Sequence, residues 1–249
     1  MSDRTGGELS QVSVITVRAG VTHEIADVLG RHIVSGTYAP GATLPNEADL
    51  SVQFDAGRSA VREAVRMLSA KGLVSSRPRR GTRVHAIREW NFLDPDVQFW
   101  LRQCVATREM LLELFEVRLA FECEGAALAA RRSSAEQIAA IRQAYDSMEA
   151  AAAGKADPIE ADCLFHEAIV VATGNRFYQP LAALIRTALV LSARITNAIF
   201  GVAVGDLVAH RRVLLAIERR DPAGAQRAMR RLLDESAAAV SRTKILPKL

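Results

Sequence analysis

Asp162 and His166 stand four residues apart in EADCLFHEAIVVATGN, separated only by Cys163, Leu164 and Phe165. On a helix that spacing stacks an acid and an imidazole on one face, a turn apart. Such a pair has three uses. The two groups can hydrogen-bond each other and so satisfy a buried ring, ligate a divalent ion such as Zn²⁺, or grip a small polar molecule. Arg118, in FEVR, is a second candidate: Leu112, Phe115 and Leu119 make its helix largely apolar, and a buried guanidinium needs an anionic partner. A carboxylate fits it through two parallel hydrogen bonds. That carboxylate belongs either to a bound acid or to Glu113, Glu122 or Asp162 of the chain itself. Asn175, after Thr173-Gly174, is either a further polar contact for a ligand or a helix C-cap.

A third group is basic. From Arg58 to Arg83 there are eight Lys or Arg against the single acid Glu63, whereas residues 87–249 carry 21 basic and 20 acidic residues. A positive field confined to one short region points to a polyanion, most often nucleic acid; a solvated charged face is the plainer reading of charge alone.

The elements that must carry these residues are legible in the periodicity. Apolar residues Ile25, Val28, Leu29 and Ile33 mark a first helix, with Thr22 as its expected N-cap and Ser35-Gly36 as its end. Asn46 is placed to cap a second, with Asp49 three residues on and Leu50 and Phe54 facing inward. In RSAVREAVRMLSAKG a stripe of Val61, Val65 and Leu68 opposes a stripe of Arg58, Arg62 and Arg66. LVSSRPRRGTRV then reads as strand, Arg/Pro/Gly tip, strand. Three helices and a hairpin in about 65 residues form a winged helix-turn-helix. Arg58 and Arg62, with Ser59, sit where such a third helix enters the major groove, and an arginine there suits guanine or phosphate. Arg77, Arg79, Arg80, Gly81 and Thr82 form a wing tip suited to the backbone or the minor groove.

Beyond Val84 the period is helical, with helices expected near 95–103, 107–131, 134–153, 158–173, 176–199, 205–219 and 222–243. The expected organisation is mainly α. Residues 1–86 form the winged domain, with 1–18 flexible. Residues 87–95 are a linker whose Trp90 and Phe92, with Trp100, dock the two domains. Residues 96–249 are an all-helical bundle for effector binding and dimerisation. Cys104, Cys123 and Cys163 lack paired spacing and read as buried thiols of a reducing compartment. With no signal-peptide pattern and no apolar run of membrane-spanning length, a soluble, cytoplasmic protein with no membrane partner is expected.

LPNEADLSVQFDAGRSAVREAVRMLSAKGLVSSRPRRGTRV resembles the DNA-binding domain of GntR-family bacterial transcription regulators, and the resemblance runs from about Ile25 to Val84. It places the recognition-helix arginines on Arg58 and Arg62 and the wing-tip Gly-Thr on Gly81 and Thr82. Three positions depart from the family pattern: Ala48 where many members carry a DNA-reaching Arg, Gly57 in place of a Ser or Thr cap, and Arg79 where Gly is common. FEVRLAFECEGAALAA, ADCLFHEAIVVATGN and AHRRVLLAIERRDPAGAQRAM, within residues 113 to about 235, resemble the helical FCD domain of the FadR-like branch. The resemblance implies a metal site on Asp162, His166 and His210, with Leu232 at the position of a fourth histidine, and a carboxylate-binding role for Arg118. WNFLDPDVQFWL resembles the post-wing segment of galactonate-type, sugar-acid-responsive repressors.

The expected function is therefore a homodimeric repressor. It leaves a palindromic double-stranded operator when a small carboxylic acid, such as an aldonate, binds Arg118, Asp162, His166, His210 and Asn175, with a divalent metal as the possible bridge. The alternative is a metal-dependent enzyme built on the Asp/His/His cluster. Against it, the sequence has no HExxH frame, no phosphate-binding Gly loop and no GxSxG.

Overall fold

The computed structural model describes residues 20–77, 79–200 and 206–242, and for residues 195–200 the helical backbone alone. The expected flexible segment 1–18 and the expected break between Gly201 and Gly205 lie outside the described residues. Helices α1 (Val21–Val34), α2 (Glu47–Gln53) and α3 (Arg58–Ala70) precede an antiparallel hairpin of β1 (Val74–Arg77) and β2 (Gly81–Val84), paired Val74 to Val84 through Arg77 to Gly81. Asn46 caps α2 as expected, its side chain accepting from the amides of Ala48 and Asp49. The start of α1 differs from expectation. Gly20 is its N-cap, in extended backbone and without a side-chain bond, so Thr22 lies inside the first turn. The Gly20 carbonyl takes the amides of His23 and Glu24, and no side-chain cap is used. Ile25, Leu29, Ile33, Leu50, Val61, Leu68, Leu73 and Val84 close one small apolar core.

A short 3-10 turn (Ile87–Glu89) leads to α4 (Pro95–Gln103), and then come α5 (Arg108–Arg132), α6 (Ala135–Ala152), α7 (Pro158–Ala172), α8 (Gln179–Phe200), α9 (Leu207–Glu218) and α10 (Pro222–Ser241). Three Asp-Pro pairs, at 94, 157 and 221, begin α4, α7 and α10: the Asp side chain caps the helix and Pro fills a position whose amide has no partner anyway. Helices α5, α6, α7, α9 and α10 share a second core that holds Phe165, Tyr145, Ile169, Met148, Met229 and Leu233. Cys123 and Cys163 are buried as expected, and burial pushes their thiols up to about 11 and about 12, whereas Cys104, also expected to be buried, is only half-buried. Among the described residues no helix is long and apolar enough to cross a membrane.

Helix α4 belongs to both parts. Val97, Trp100 and Leu101 are buried in the core of the winged domain together with Trp90. Trp100 lies against Gly30 of α1 and donates its indole N–H to Asp27 Oδ1 at 2.7 Å. Lys71, at the end of α3, is held by Asp94 and Asp96 at 2.9 and 2.7 Å. On its other side α4 packs on α8, where Arg102 donates to Thr187 at 2.9 Å. Trp90 and Trp100 thus hold α4 against the winged helices, and α4, packed on α8 as well, carries the junction.

Gly30 is the tightest point. A Cβ there would sit 2.5 Å from the Trp100 ring, which is closer than side chains pack. Gly30→Ala is expected to destabilise the protein by roughly 1–3 kcal/mol through overpacking. The check is a lower denaturant midpoint at unchanged slope.

Candidate metal centre and DNA-binding face

Two helices bring the expected cluster together. Asp162 and His166 share one face of α7, and His210 comes from the first turn of α9. Asp162 Oδ1 lies 3.6 Å from His166 Nε2 and 3.0 Å from His210 Nε2, and the three ligand atoms fall within 4.8 Å of one another. A tetrahedral ion with bonds of about 2.0–2.2 Å holds its ligand atoms roughly 3.3–3.6 Å apart. The histidine side chains are almost fully buried, at 1% and 3% exposed, while Asp162 keeps 18%. Phe165 stands edge-on to both rings and fixes their planes.

The orientation of the rings separates metal ligation from a simple buried pair. His166 turns Nδ1 to Glu122 of α5, and His210 turns Nδ1 to the Asp206 carbonyl at 2.7 Å, the N-cap of its own helix. With each Nδ1–H donated, each Nε2 offers a lone pair towards Asp162. Histidine ligands are commonly held this way, the far nitrogen bonded to a carboxylate or carbonyl. The 3.0 Å approach of Asp162 Oδ1 to His210 Nε2 lacks hydrogen-bond alignment, so both buried atoms are left without a hydrogen-bond partner. Buried polar atoms without partners are costly. A divalent cation at their meeting point satisfies both, and the donor set suits Zn²⁺ and its neighbours. Leu232 is buried in the core and supplies no fourth ligand, so an ion held here would keep coordination positions open.

Glu122 is the site residue that sequence reasoning placed only as an ion partner of Arg118. Arg118 Nε donates to Glu122 Oε1 at 2.5 Å, and the guanidinium also lies over the Phe115 ring. The i, i+4 spacing on an apolar helix signals that half of the arrangement. The other half, His166, is 44 residues away and has no local signal. Asn175 is not drawn to the cluster by any described contact. Its Oδ1 accepts from Phe177 N at 3.0 Å and shapes the turn between α7 and α8, while Thr173 ends α7.

Burial pushes the Glu122 carboxyl up, but the Arg118 guanidinium and the His166 ring outweigh it and hold it at about 2. Burial likewise disfavours ionisation of Asp162, and His210 with His166 and Arg118 overcomes that cost, so its carboxyl also sits at about 2. His210 is raised: burial acts downward, and Asp162 and the Asp206 carbonyl more than offset it.

On the winged domain, Arg58, Ser59 and Arg62 lie exposed at the start of α3, opposite its buried stripe. Gly57 is the N-cap and contributes no side-chain bond. Arg62 reaches back to Glu47 through Nε at 3.2 Å and Nη2 at 2.8 Å; the pair is exposed, so it is weak. At the wing, Arg77, Arg79 and Arg80 are exposed, and Arg79 adopts φ +63°, the left-handed conformation that explains glycine's usual place there. Gly81 also takes positive φ, Thr82 meets Ser76 at 2.8 Å, and Arg83 donates to the Gly41 carbonyl, tying the wing to the loop after α1.

Two opposite pH effects follow for the cluster. In metal-free protein the depressed carboxyls of Glu122 and Asp162 stabilise the fold above their ordinary range, and that contribution is lost as pH falls from about 5 to about 2; for Glu122 it is on the order of 3 kcal/mol. Glu122→Gln should flatten this acid limb in denaturant titrations. The raised His210 stabilises the metal-free fold below its ordinary value, and the contribution fades as pH rises through its higher folded value. Metal binding reverses that dependence, because a proton on Nε2 competes with the ion. Added Zn²⁺ should therefore raise the melting point more at pH 8 than at pH 6, and Glu122→Gln should cost 10–100-fold in metal affinity.

Comparison with known proteins agrees with this architecture. Residues 21–84 match the model of the bacterial regulatory proteins of the gntR family, and residues 113–235 match the FCD domain. The HTH-type transcriptional regulator YieP of Escherichia coli (strain K12) is 34% identical over 68% of this chain and 75% of its own. The galactonate operon transcriptional repressor of the same organism is 35% identical over 65% and 70%. Among solved structures, Lar of Listeria monocytogenes has the same fold (TM-score 0.63, 16% identity, 90% of this chain and 97% of that one). The two curated relatives are regulators, so the metal-dependent enzyme considered from the Asp/His/His cluster is not supported. The winged basic domain and the helical domain together make this chain a member of the gntR family of transcription regulators, with a C-terminal FCD domain.

Proposed function

We propose that the protein is a dimeric, cytoplasmic repressor that leaves a palindromic operator when a sugar acid binds the helical domain through a divalent metal held by Asp162, His166 and His210. The observation that carries the reading is the convergence of two imidazole Nε2 atoms on Asp162 Oδ1, each ring fixed from behind. The charge balance points the same way. Arg118, Glu122 and Asp162 with neutral imidazoles sum to −1, and a divalent ion turns the site to +1 beside open coordination positions. An aldonate offers what such a site takes, a carboxylate and a neighbouring hydroxyl. The identity to the galactonate operon repressor supports a sugar acid in particular. In this reading the metal supplies a fixed positive charge and ligand positions. Arg118 and Glu122 set the orientation of His166 beneath it. Dimerisation follows from the few base pairs that one winged domain reads.

Release is a population shift, in which the acid binds one arrangement of the helical domain better than the DNA-competent one. The chelator-treated protein should gain no melting-point shift from galactonate, and Zn²⁺ or Ni²⁺ add-back should restore one. A shift that survives chelation means that Asp162, His166, His210 and Arg118 grip the acid directly. No shift with any sugar acid or dicarboxylate, with or without metal, refutes the effector assignment. Separately, Arg58→Ala with Arg62→Ala should lower operator affinity by at least tenfold. The slope of log affinity against log salt should fall by about 1 for each phosphate these arginines neutralise in the parent protein. Unchanged affinity would remove α3 from the DNA interface.

A further inference from the structure

A second cavity, of about 320 Å³, lies at the junction of the two domains, at the lower end of the volumes of small-molecule pockets. Ile87, Phe92 and Leu101 line it from the winged side, and Met110, Leu114 and Leu184 line it from α5 and α8. It is distinct from the Asp162 cluster, none of whose residues lines it. The lining is apolar but for three groups. Thr107, buried, accepts the Met110 amide at 3.2 Å, and its hydroxyl proton has no acceptor among the described residues. Glu109 and Glu113, exposed to solvent and one turn apart on α5, also line the cavity, and neither makes an ion pair among the described residues.

Two carboxylates without a counter-ion beside an apolar hollow select the charge of its occupant. A carboxylic acid is repelled there, and a neutral apolar molecule gains nothing from the carboxylates, which water solvates. A molecule with an apolar body and a cationic end satisfies both features. The geometry points to a second ligand site for a small amphiphilic amine, its body among Phe92, Met110, Leu114 and Leu184 and its ammonium against Glu109 and Glu113. The walls come from α5 and α8 on one side and from the segment fixed to α1 on the other. An occupant therefore binds one placement of the domains better than others, and operator affinity responds to it. This goes beyond the sugar-acid site and is independent of any metal.

The test uses full-length protein and three probes with one apolar body: 4-phenylbutylamine, 4-phenylbutanol and 4-phenylbutyrate, titrated calorimetrically with and without chelator. The amine is expected to bind once per chain, at least tenfold more tightly than the alcohol, with the acid weakest, and chelation should change nothing. Glu109→Gln with Glu113→Gln should abolish the preference for amine over alcohol while leaving the alcohol's affinity within twofold. Leu184→Trp should fill the hollow and remove binding of all three. Leu114→Phe serves the same purpose should the first variant misfold, and operator binding without probe verifies the fold of each. The proposal is overturned if no probe binds, if the alcohol matches the amine, if the acid matches it in binding that Leu184→Trp removes, or if amine preference survives the double substitution. Because none of these readouts involves metal or sugar acid, failure here leaves the effector assignment untouched, and the converse also holds.

Discussion

Everything in the helical domain depends on how one buried chain of ionisable groups is satisfied. Arg118, Glu122, His166, Asp162 and His210 run across α5, α7 and α9, and all but Asp162 are buried. Burying an ion costs several kcal/mol unless its partners are in place, and removing one partner strands the rest. The chain therefore demands that three helices hold a fixed register. The caps supply it: Thr107, Asp157 and Asp206 each accept an amide in the first turn of α5, α7 and α9. Asp206 does more, since its carbonyl also fixes the His210 ring. An apolar cluster of the same volume would serve stability as well or better. The ionisable chain is thus best explained by what His210 Nε2 and Asp162 Oδ1, both without a hydrogen-bond partner, can hold together with His166.

The route from this site to the DNA face is short and made of named contacts. Helix α7 is tied to α8 by Arg186, which bonds both Glu160 and Glu167. Helix α8 meets α4 through Arg102 and Thr187, and α4 is anchored to α1 by Trp100 on Asp27. Below α1 the same core holds the buried face of α3, whose opposite face presents Arg58 and Arg62. Coupling along such a route needs an effector that favours one arrangement of it. The junction hollow sits beside this path, between α4, α5 and α8, where a bound molecule meets both sides at once.

Much of this is legible in the residues alone. The arginine stripe of α3 and its apolar opposite follow from a period of 3.6, and the hairpin from its Arg/Pro/Gly tip. The pairing of Asp162 with His166 follows from their spacing, because one helix face is a local property. What the residues do not show is non-local. His210 enters only through family resemblance, since nothing in AHRRVLL signals an approach to α7. The second partner of Glu122 is on another helix. The attachment of α4 to the winged domain depends on a glycine in α1 that lets an indole approach, and Gly30 in a helical pattern carries no sign of what it faces. Thr22 looks like a cap because a favourable side chain stands near the boundary, whereas the helix begins two residues before such a cap would start it, at Val21 after Gly20, with no side-chain cap.

The central claim is that Asp162, His166 and His210 form a metal site instead of a self-satisfied buried cluster. Its most direct test is calorimetric titration of chelator-treated protein with Zn²⁺ at near-neutral pH in two buffers of different ionisation enthalpy, alongside His210→Ala. The account predicts one ion per chain, release of whatever protons the ligand atoms carry, and loss of that binding in the variant. Wild-type protein that binds no ion, or a variant that binds it equally well, would contradict the account.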